Sequence, residues 1–435
     1  MNRQILRLAV PNIITNITVP LLGMVDTAIA GHLDASSDSL DYIGAIAVGT
    51  MIFNIIYWNF GFLRMGTSGF TAQAYGANDV REQTNILTRA CSVALISALL
   101  LIVLQKPISV LAASLIEDKN SVMRLALTYF FIRIWAAPAT LGMYALKGWF
   151  IGMQDSKTPM WISILINILN IGFSLLFVVG YGMDIDGVAW GTVVAQYGGL
   201  FTTIALWLKK YGFLKRHINI RQALQWDKLK MFFKVNSDIF LRTICLVLVT
   251  SYFTVASSSM PYPTLAVNTI LMQLFTLFSY FMDGFAYAAE SLCGKFKGAG
   301  DYANLRKSVS QLLKWGTGLS MAFVVLYFFG GENILGILTD KQEIIDKSGD
   351  HIFWVLLIPV TGFVAFLYDG ILIGMTETGI MRNAIFIATA LFFVLFFSLK
   401  PLLGNDALWI GFITYLSARS ILMALLSRRK IFING

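Results

Sequence analysis

Acidic side chains occur inside long apolar stretches of this 435-residue sequence, where a membrane would bury them. Asp26 lies within a Gly-Met-Val-Asp-Thr segment, and Asp283 and Glu290 lie seven residues apart, two helical turns on one face. A charge near the bilayer centre costs about 2.5–3.5 kcal/mol on insertion scales. A carboxylate kept despite this cost can carry a proton or bind a cation. Asp26 is therefore a candidate ion site, and Asp283 and Glu290 are candidates for coupling or for binding a cationic substrate.

Each of these carboxylates also has a structural interpretation. Asp26 could be held by hydrogen bonds to its neighbours without any part in transport. Asp238 and Arg242 are four residues apart in another apolar stretch, and this spacing favours a local salt bridge on one helix. Asp283 could likewise form an ion pair with an interior arginine, for which the sequence offers Arg133 and Arg419.

Uncharged polar residues are found at helical spacing in further apolar stretches. Asn170 and Ser174 are four residues apart and share one helix face, and Thr192 lies in the next stretch. One interpretation is that they complete a polar pocket around Asp26. The other is that they form ordinary hydrogen bonds between helices, which are common in membranes. The spacing does not decide between the two.

Two prolines, Pro11 and Pro20, flank the segment that leads to Asp26. A proline within a helix removes one backbone hydrogen bond and can kink the helix. In a membrane, the carbonyls freed in this way are tolerated where they line a cavity or meet a neighbouring helix. We therefore expect Asp26 to lie on a helix that can bend.

The overall composition shows which elements must position these residues. Hydrophobic residues make up 57% of the chain and charged residues only 13%, whereas about a quarter of a soluble protein is charged. A single core stops growing near about 250–300 residues, so lipid must take up the excess. A span needs about 20 mostly apolar residues. We predict an all-α polytopic membrane protein with twelve transmembrane helices, near residues 7–31, 42–68, 88–114, 124–147, 158–182, 186–208, 230–257, 264–292, 308–330, 351–372, 380–403 and 406–427.

The loops between these spans orient the chain. Basic residues concentrate in 209–234, in 294–307 and in the C-terminal tail, whereas 32–41 contains three aspartates and no lysine or arginine. Cytoplasmic loops carry the excess of basic residues. The net charge of +9 is thus a topology signal and does not indicate nucleic-acid binding. We expect a multi-pass protein of the plasma (inner) membrane with both termini in the cytoplasm.

An internal repeat relates the two halves of the chain. The tripeptide Ile-Gly-Met at 151–153 recurs at 373–375, and Gly-Ala at 76–77 recurs at 298–299, both at an offset of 222 residues. Six spans in each half make both halves enter from the same side, as in transporters built from parallel repeats. We predict two pseudo-symmetric six-helix lobes around a central cavity, with lobes at 1–210 and 228–435 and a basic cytoplasmic linker at 211–227.

Several function classes are excluded by what the sequence lacks. It contains no Walker loop, no HExxH motif, no dinucleotide-binding fingerprint and no loop long enough to hold an active site. Its three cysteines and three histidines form no ligand pattern. We expect a secondary transporter that is not an enzyme and needs no cofactor or resident metal. Its partners would be a small organic substrate and membrane lipid but not nucleic acid, and we expect a monomer.

Four segments carry small-residue motifs: Val-Asp-Thr-Ala-Ile-Ala-Gly at 25–31, the glycine and Gln-Ala-Tyr-Gly-Ala residues of 66–77, Gly-Val-Ala with Gly-Thr in 187–192, and Gly-Phe-Ala, Ala-Glu and Gly in 284–294. Together these segments resemble the MATE (multidrug and toxin extrusion) family, in particular its DinF-like branch. Each motif alone is weak, but their order and the repeat make the combination specific.

The resemblance implies an antiporter that exports organic cations or amphipathic drugs and toxins by alternating access, driven by inward H⁺ or Na⁺. By the same resemblance Asp26 anchors the cation site, Asn170 and Thr192 join it, and Pro11 bends during the cycle. Relatives often carry a second aspartate where this chain has Ser174. Loss of that carboxylate favours H⁺, although Na⁺ at Asp26 with neutral oxygen ligands stays open.

A lipid-linked saccharide flippase of the same superfamily is the alternative function. Such proteins share the fold but usually carry more spans and a strongly cationic cavity for pyrophosphate. The interior charges of this sequence lean acidic, which disfavours an anionic cargo. A membrane enzyme or scaffold is a third alternative, and it would need a cluster of acid, base or metal residues that the sequence does not show.

Overall fold

The computed structural model describes residues 1–31, 39–115 and 121–433, and these ranges are helical without any strand. Short 3₁₀ or π segments occupy 134–136, 176–180, 212–217 and 429–433. The α-helices in chain order are α1 (Asn2–Gly31), α2 (Ser39–Asn59), α3 (Gly61–Gly76), α4 (Val80–Val103), α5 (Gln105–Leu115), α6 (Ser121–Arg133), α7 (Ala137–Gly152), α8 (Lys157–Leu175), α9 (Ile185–Tyr211), α10 (Ile220–Ala223), α11 (Trp226–Ser258), α12 (Thr264–Gly298), α13 (Tyr302–Leu338), α14 (Gln342–Gly349), α15 (Ile352–Gly374), α16 (Thr378–Leu403) and α17 (Asn405–Arg428).

Eleven helical stretches in the described ranges are long and apolar enough to cross a membrane. Two of these stretches each consist of two consecutive helices, α2 with α3 and α6 with α7. Helix α1 adds a further helix of 30 residues, which is about 45 Å at the helical rise. The prediction of an all-α protein with twelve membrane-crossing helices is confirmed.

The third span begins earlier than predicted. Helix α4 starts at Val80, eight residues before the expected start, because the carboxylate of Asp79 accepts a hydrogen bond from the backbone N–H of Glu82 at 2.9 Å. Such an N-cap fixes a helix start regardless of hydropathy. The end is also earlier, at Val103, and the residues expected to complete the span form the separate helix α5.

The described chain forms two compact units. One comprises residues 14–232, and the other comprises 1–13 together with 233–435. The first residues of α1 pack within the second unit, where a side chain on Gly284 would collide with Ile13. The lobe limits predicted from the sequence, at 210 and 228, stay a prediction.

Both units contain the same glycine-dependent helix contact. In the first unit, a Cβ on Gly148 would collide with the carbonyl group of Arg64; in the second, a Cβ on Gly370 would collide with the carbonyl group of Ala286. Both pairs are related by the 222-residue offset of the repeat. One turn later Gly152 and Gly374 make equivalent close approaches, to the carbonyls of Ser68 and Glu290.

The turns that precede and follow these helices repeat as well. Asp79 caps α4, and its counterpart Asp301 caps α13 through the backbone N–H of Asn304 at 3.0 Å. This bond, with a second from the Asn304 side chain, holds the pKa of the Asp301 carboxyl below its ordinary value. Gln154 and Thr376 both adopt positive φ, 64° and 54°, just after α7 and α15. The predicted internal repeat is therefore present in the backbone geometry.

A hydrogen-bond network around Asn268 fastens three helices of the second unit. The Asn268 side chain is 1% exposed. Its Nδ2 donates to Ser257 Oγ and to Asn405 Oδ1, both at 2.7 Å, and its Oδ1 accepts from Trp409 Nε1 at 3.0 Å. Asn268 thereby joins α12 to α11 and α17.

Replacing Asn268 by leucine is expected to lower the free energy of unfolding by roughly 2 kcal/mol, because the buried indole N–H of Trp409 loses its acceptor. Thermal denaturation of the purified protein, followed by size exclusion, measures the loss. Thr269→Val is the matched control, since Thr269 is exposed and bonds only to the carbonyl of Leu265 in its own helix. Equal stability of the Asn268 variant and the wild type would contradict the assigned role of this network.

Candidate functional site

A buried polar pocket lies between α8 and α9 in the first unit. Asn170 donates from Nδ2 to Thr192 Oγ1 at 3.0 Å, and Thr192 donates to the carbonyl of Val188 at 3.1 Å. Ser174 follows one turn after Asn170 and is fully buried. It lies directly against Gly191, where any Cβ would collide with it. The structure thus brings together the three uncharged residues that the sequence singled out.

Two oxygen atoms of this pocket have no hydrogen-bond donor within the described part of the chain. They are Asn170 Oδ1 and Ser174 Oγ, both buried. A buried acceptor without a partner costs about 1–3 kcal/mol, so each such oxygen in a native fold needs a physical explanation, of which a bound water or ion is one. Both oxygens can accept from a polar group outside α8 and α9.

Helix α1 lies beside this pocket. Asn167 Nδ2 on α8 donates to the carbonyl of Thr18 at 3.0 Å. The first and fifth spans run in the same direction because successive spans alternate. Asp26 follows Thr18 by about 12 Å of helix, and Ser174 follows Asn167 by about 10 Å. The backbone of Asp26 therefore reaches the depth of Ser174, while the Asp26 side chain lies outside the described residues.

Both prolines are part of α1, which is helical from Asn2 to Gly31. Pro11 is buried and Pro20 is exposed. Each removes one backbone hydrogen bond from the helix, because proline has no N–H to donate to the carbonyl four residues earlier. The helix is continuous in this structure, and bending at Pro11 or Pro20 stays a prediction.

The acidic candidates of the second unit lie on α12. Glu290 is 1% exposed, and its backbone carbonyl is the group that faces Gly374. Asp283 is partly buried two turns earlier. Arg419 is not the partner of Asp283, because its guanidinium donates to Asp369 at 2.8 Å. A role of Asp283 or Glu290 in coupling stays a prediction.

The predicted local salt bridge between Asp238 and Arg242 is wrong. Asp238 accepts from Arg382 at 2.7 Å and from Thr378 at 2.9 Å, both on α16. Arg242 instead donates to Asp369 on α15. An i,i+4 pair on a helix is worth only a few tenths of a kcal/mol, so partners from neighbouring helices with good geometry replace it.

The prediction that the interior charges are mainly acidic is also wrong around Asp369. Arg242 and Arg419 share this single carboxylate. These three buried side chains carry one net positive charge, so this part of the interior does not lean acidic as the sequence suggested. Sequence reasoning missed the group because its members come from α11, α15 and α17, and no spacing along the chain links them. The only signal was that Asp369 occupies the position equivalent to Lys147 in the repeat.

The fold and the buried polar pocket define a class of protein, the multi-pass membrane transporters built from two repeated halves. The family model called MatE matches residues 11–176 and 239–398 of this chain. The chain therefore belongs to the MatE family.

Individual relatives agree with this assignment. The chain is 34% identical to the DNA damage-inducible protein F of Escherichia coli (strain K12), over 98% of this chain and 92% of the relative. It is 23% identical to the multidrug resistance protein MdtK of Edwardsiella ictaluri (strain 93-146), over 97% and 94% of the two chains. A crystal structure of MATE in the bent conformation superposes with a TM-score of 0.84 at 19% identity, covering 99% of this chain and 95% of that chain.

Proposed function

We propose that this protein is a cation-coupled antiporter that exports organic cations or other amphipathic drugs and toxins by alternating access. Membership of the MatE family supports export as the activity, and the name of the related multidrug resistance protein MdtK supports drugs as the substrate class. The two repeated units support alternating access, since repeats of this kind move against each other in secondary transporters.

The single observation that carries the coupling mechanism is the pair of buried oxygens, Asn170 Oδ1 and Ser174 Oγ, at the depth of Asp26. A carboxylate at this position would find acceptors for its proton in one state and lose that proton in another. Burial raises the pKa of a carboxyl group, and a nearby polar pocket or water lowers it again. A coupling group needs such a change between the two ends of the cycle.

H⁺ is the proposed coupling ion. A proton needs one carboxylate, whereas Na⁺ needs several oxygen ligands at once. Ser174 contributes a neutral oxygen where a second carboxylate would strengthen a Na⁺ site. Asp26 would therefore carry the proton, with Asn170, Ser174 and Thr192 as its polar surroundings.

The proposed topology has both termini in the cytoplasm of a cell with an inner membrane. The basic residues between α9 and α11 support this orientation, because cytoplasmic loops are enriched in lysine and arginine. Lys215, Arg216 and Arg221 lie between the two helices, and Lys209, Lys210 and Lys228 lie on their adjoining ends. We further propose that the working unit is a monomer, since each chain holds both repeats.

Efflux from proteoliposomes tests the function. An imposed pH gradient, acidic on the side opposite the dye, is expected to drive release of the fluorescent cation ethidium at several times the leak rate of protein-free liposomes. An imposed Na⁺ gradient at equal pH on both sides is expected to leave the leak rate unchanged. Release driven by Na⁺ alone would overturn H⁺ coupling. If neither gradient moves the dye while lipid-linked saccharides cross the membrane, the protein is a flippase.

A further inference from the structure

Three charged side chains meet in the interior of the second unit. Asp369 on α15 receives Arg242 from α11 and Arg419 from α17, the latter at 2.8 Å. All three residues are at least nine-tenths buried, at 4%, 8% and 2% exposure in that order. The group lies inside segments that are long and apolar enough to span a membrane.

The hydrogen bonds of this group are incomplete. Both arginines donate through Nη2 to the same oxygen, Asp369 Oδ2. The other carboxylate oxygen, Asp369 Oδ1, and the Nε–H groups of Arg242 and Arg419 have no hydrogen-bond partner among residues 1–31, 39–115 and 121–433. A guanidinium has five N–H donors. Two guanidinium groups therefore carry more donors than one carboxylate can accept hydrogen bonds from.

The charge balance is incomplete as well. Two guanidinium groups and one carboxylate leave one positive charge in excess at a site where an unpaired ion is costly. The ring of Tyr415 lies 5.3 Å from Arg419 Cζ, and this contact stabilises a cation on its face but carries no negative charge to balance it. One arginine would already neutralise the charge of Asp369.

The first unit does not repeat this arrangement. The position equivalent to Asp369 is Lys147, which donates from Nζ to Ser163 Oγ at 3.0 Å. The close glycine contacts recur in both units, whereas, within the described ranges, the charged group around Asp369 is present in the second unit alone.

We propose that Arg242 and Arg419 form a binding site for the oxyanion of an amphipathic ligand, a carboxylate, sulfonate or phosphate group attached to an apolar body. The planar fork of arginine matches two oxygens of such a group. When no ligand is bound, both arginines donate to Asp369, and the negative charge of this carboxylate limits the affinity for an anion. This site is separate from Asp26 and does not depend on which ion drives transport.

Ligand binding to the purified protein in phosphatidylcholine nanodiscs tests the site. The probes are octanesulfonate and octyltrimethylammonium, which share a chain length and differ in charge, and isothermal titration calorimetry measures their affinities. Octanesulfonate is expected to bind at least about tenfold more tightly than its cationic match. Inorganic sulfate, titrated separately, shows whether the oxyanion alone suffices or the apolar body is needed.

Two substitutions are expected to act in opposite directions. Arg242→Gln removes the excess positive charge and should weaken octanesulfonate binding about tenfold, whereas Asp369→Asn removes the competing carboxylate and should tighten it by a similar factor. Arg242→Lys keeps the charge but loses the planar fork, so it should weaken octanesulfonate binding less than Arg242→Gln does. Arg382→Gln, at the separate ion pair with Asp238, should leave the affinity unchanged and serves as the control.

A structural role would give a different pattern. If Arg242→Gln and Asp369→Asn both weaken binding, or if octyltrimethylammonium binds as well as octanesulfonate, the proposal is overturned. If Arg242→Gln fails to fold, the opposite shifts expected for Asp369→Asn and Arg242→Lys still decide the question. Failure of this test would leave the proposed H⁺-coupled export untouched, because that function is measured by efflux and rests on the first unit.

Discussion

Asp26→Asn is expected to reduce pH-gradient-driven efflux to the leak rate of protein-free liposomes. Asparagine has nearly the shape of aspartate but cannot take up or release a proton, so a cycle that requires both steps stops. The amount of protein in the membrane should be unchanged, because the substitution removes a charge from an apolar stretch, where a charge is costly. Ethidium release from proteoliposomes, normalised to the reconstituted protein, measures the effect.

Asp184→Asn is the matched control for this experiment. Asp184 is exposed and directly precedes α9, and its side chain makes no capping hydrogen bond to that helix. The same chemical change there should leave efflux at the wild-type rate. If Asp26→Asn retained pH-driven efflux, the proton would have to be carried elsewhere, and Asp283 and Glu290 would become the candidates to test.

Gly370→Ala is expected to destabilise the second unit by about 2–3 kcal/mol, which would remove most of the folded protein from a membrane preparation. The new Cβ would collide with the carbonyl group of Ala286. This obstacle is backbone, so only a separation of α12 from α15 can relieve the collision, and no side chain can rotate away. Yield of monodisperse protein and the midpoint of thermal denaturation measure the loss.

The same substitution at Gly172 provides the control. A Cβ on Gly172 has no atom within 4 Å, and replacing a helical glycine by alanine on a free surface gains up to about 1 kcal/mol. Gly172→Ala should therefore be as stable as the wild type or more stable. Gly148→Ala should behave like Gly370→Ala, because the carbonyl of Arg64 opposes it in the same way. A stable Gly370→Ala protein would mean that these helices are not held at this distance.

The features that depend on order along the chain were predictable from the sequence. Twelve spans follow from apolar runs of sufficient length, and the repeat follows from a shared offset, which the structure extends to cap residues and positive-φ positions. For Asn170, Ser174 and Thr192, spacing left two alternatives open, a pocket around Asp26 and ordinary hydrogen bonds between helices. Only the resemblance to a family favoured the pocket, which stays a prediction.

The features that depend on which helices are neighbours were not predictable. Asp238 and Arg242 are ideally spaced for a salt bridge, but each is bound by a residue more than a hundred positions away. The Asn268 network and the group around Asp369 are of the same kind. Hydropathy identifies the segments that cross the membrane but not which helices are neighbours, because an apolar side chain can face lipid or another helix equally well. The partners in an ion pair depend on how each helix is rotated and which helices contact it, and residue spacing along one helix does not show this.

The repeated glycine contacts also bear on how the two halves of this protein arose and diverged. A duplicated segment keeps its backbone only if the positions that admit no side chain are preserved in both copies. Gly148 and Gly370 are such positions, and one residue before each lies a charge of opposite sign, Lys147 and Asp369. The glycines hold the same helix contact in both halves, while the residue before each differs in charge. Each copy could thus acquire its own chemistry without a new fold, which is how one ancestral half could give rise to two halves with separate tasks.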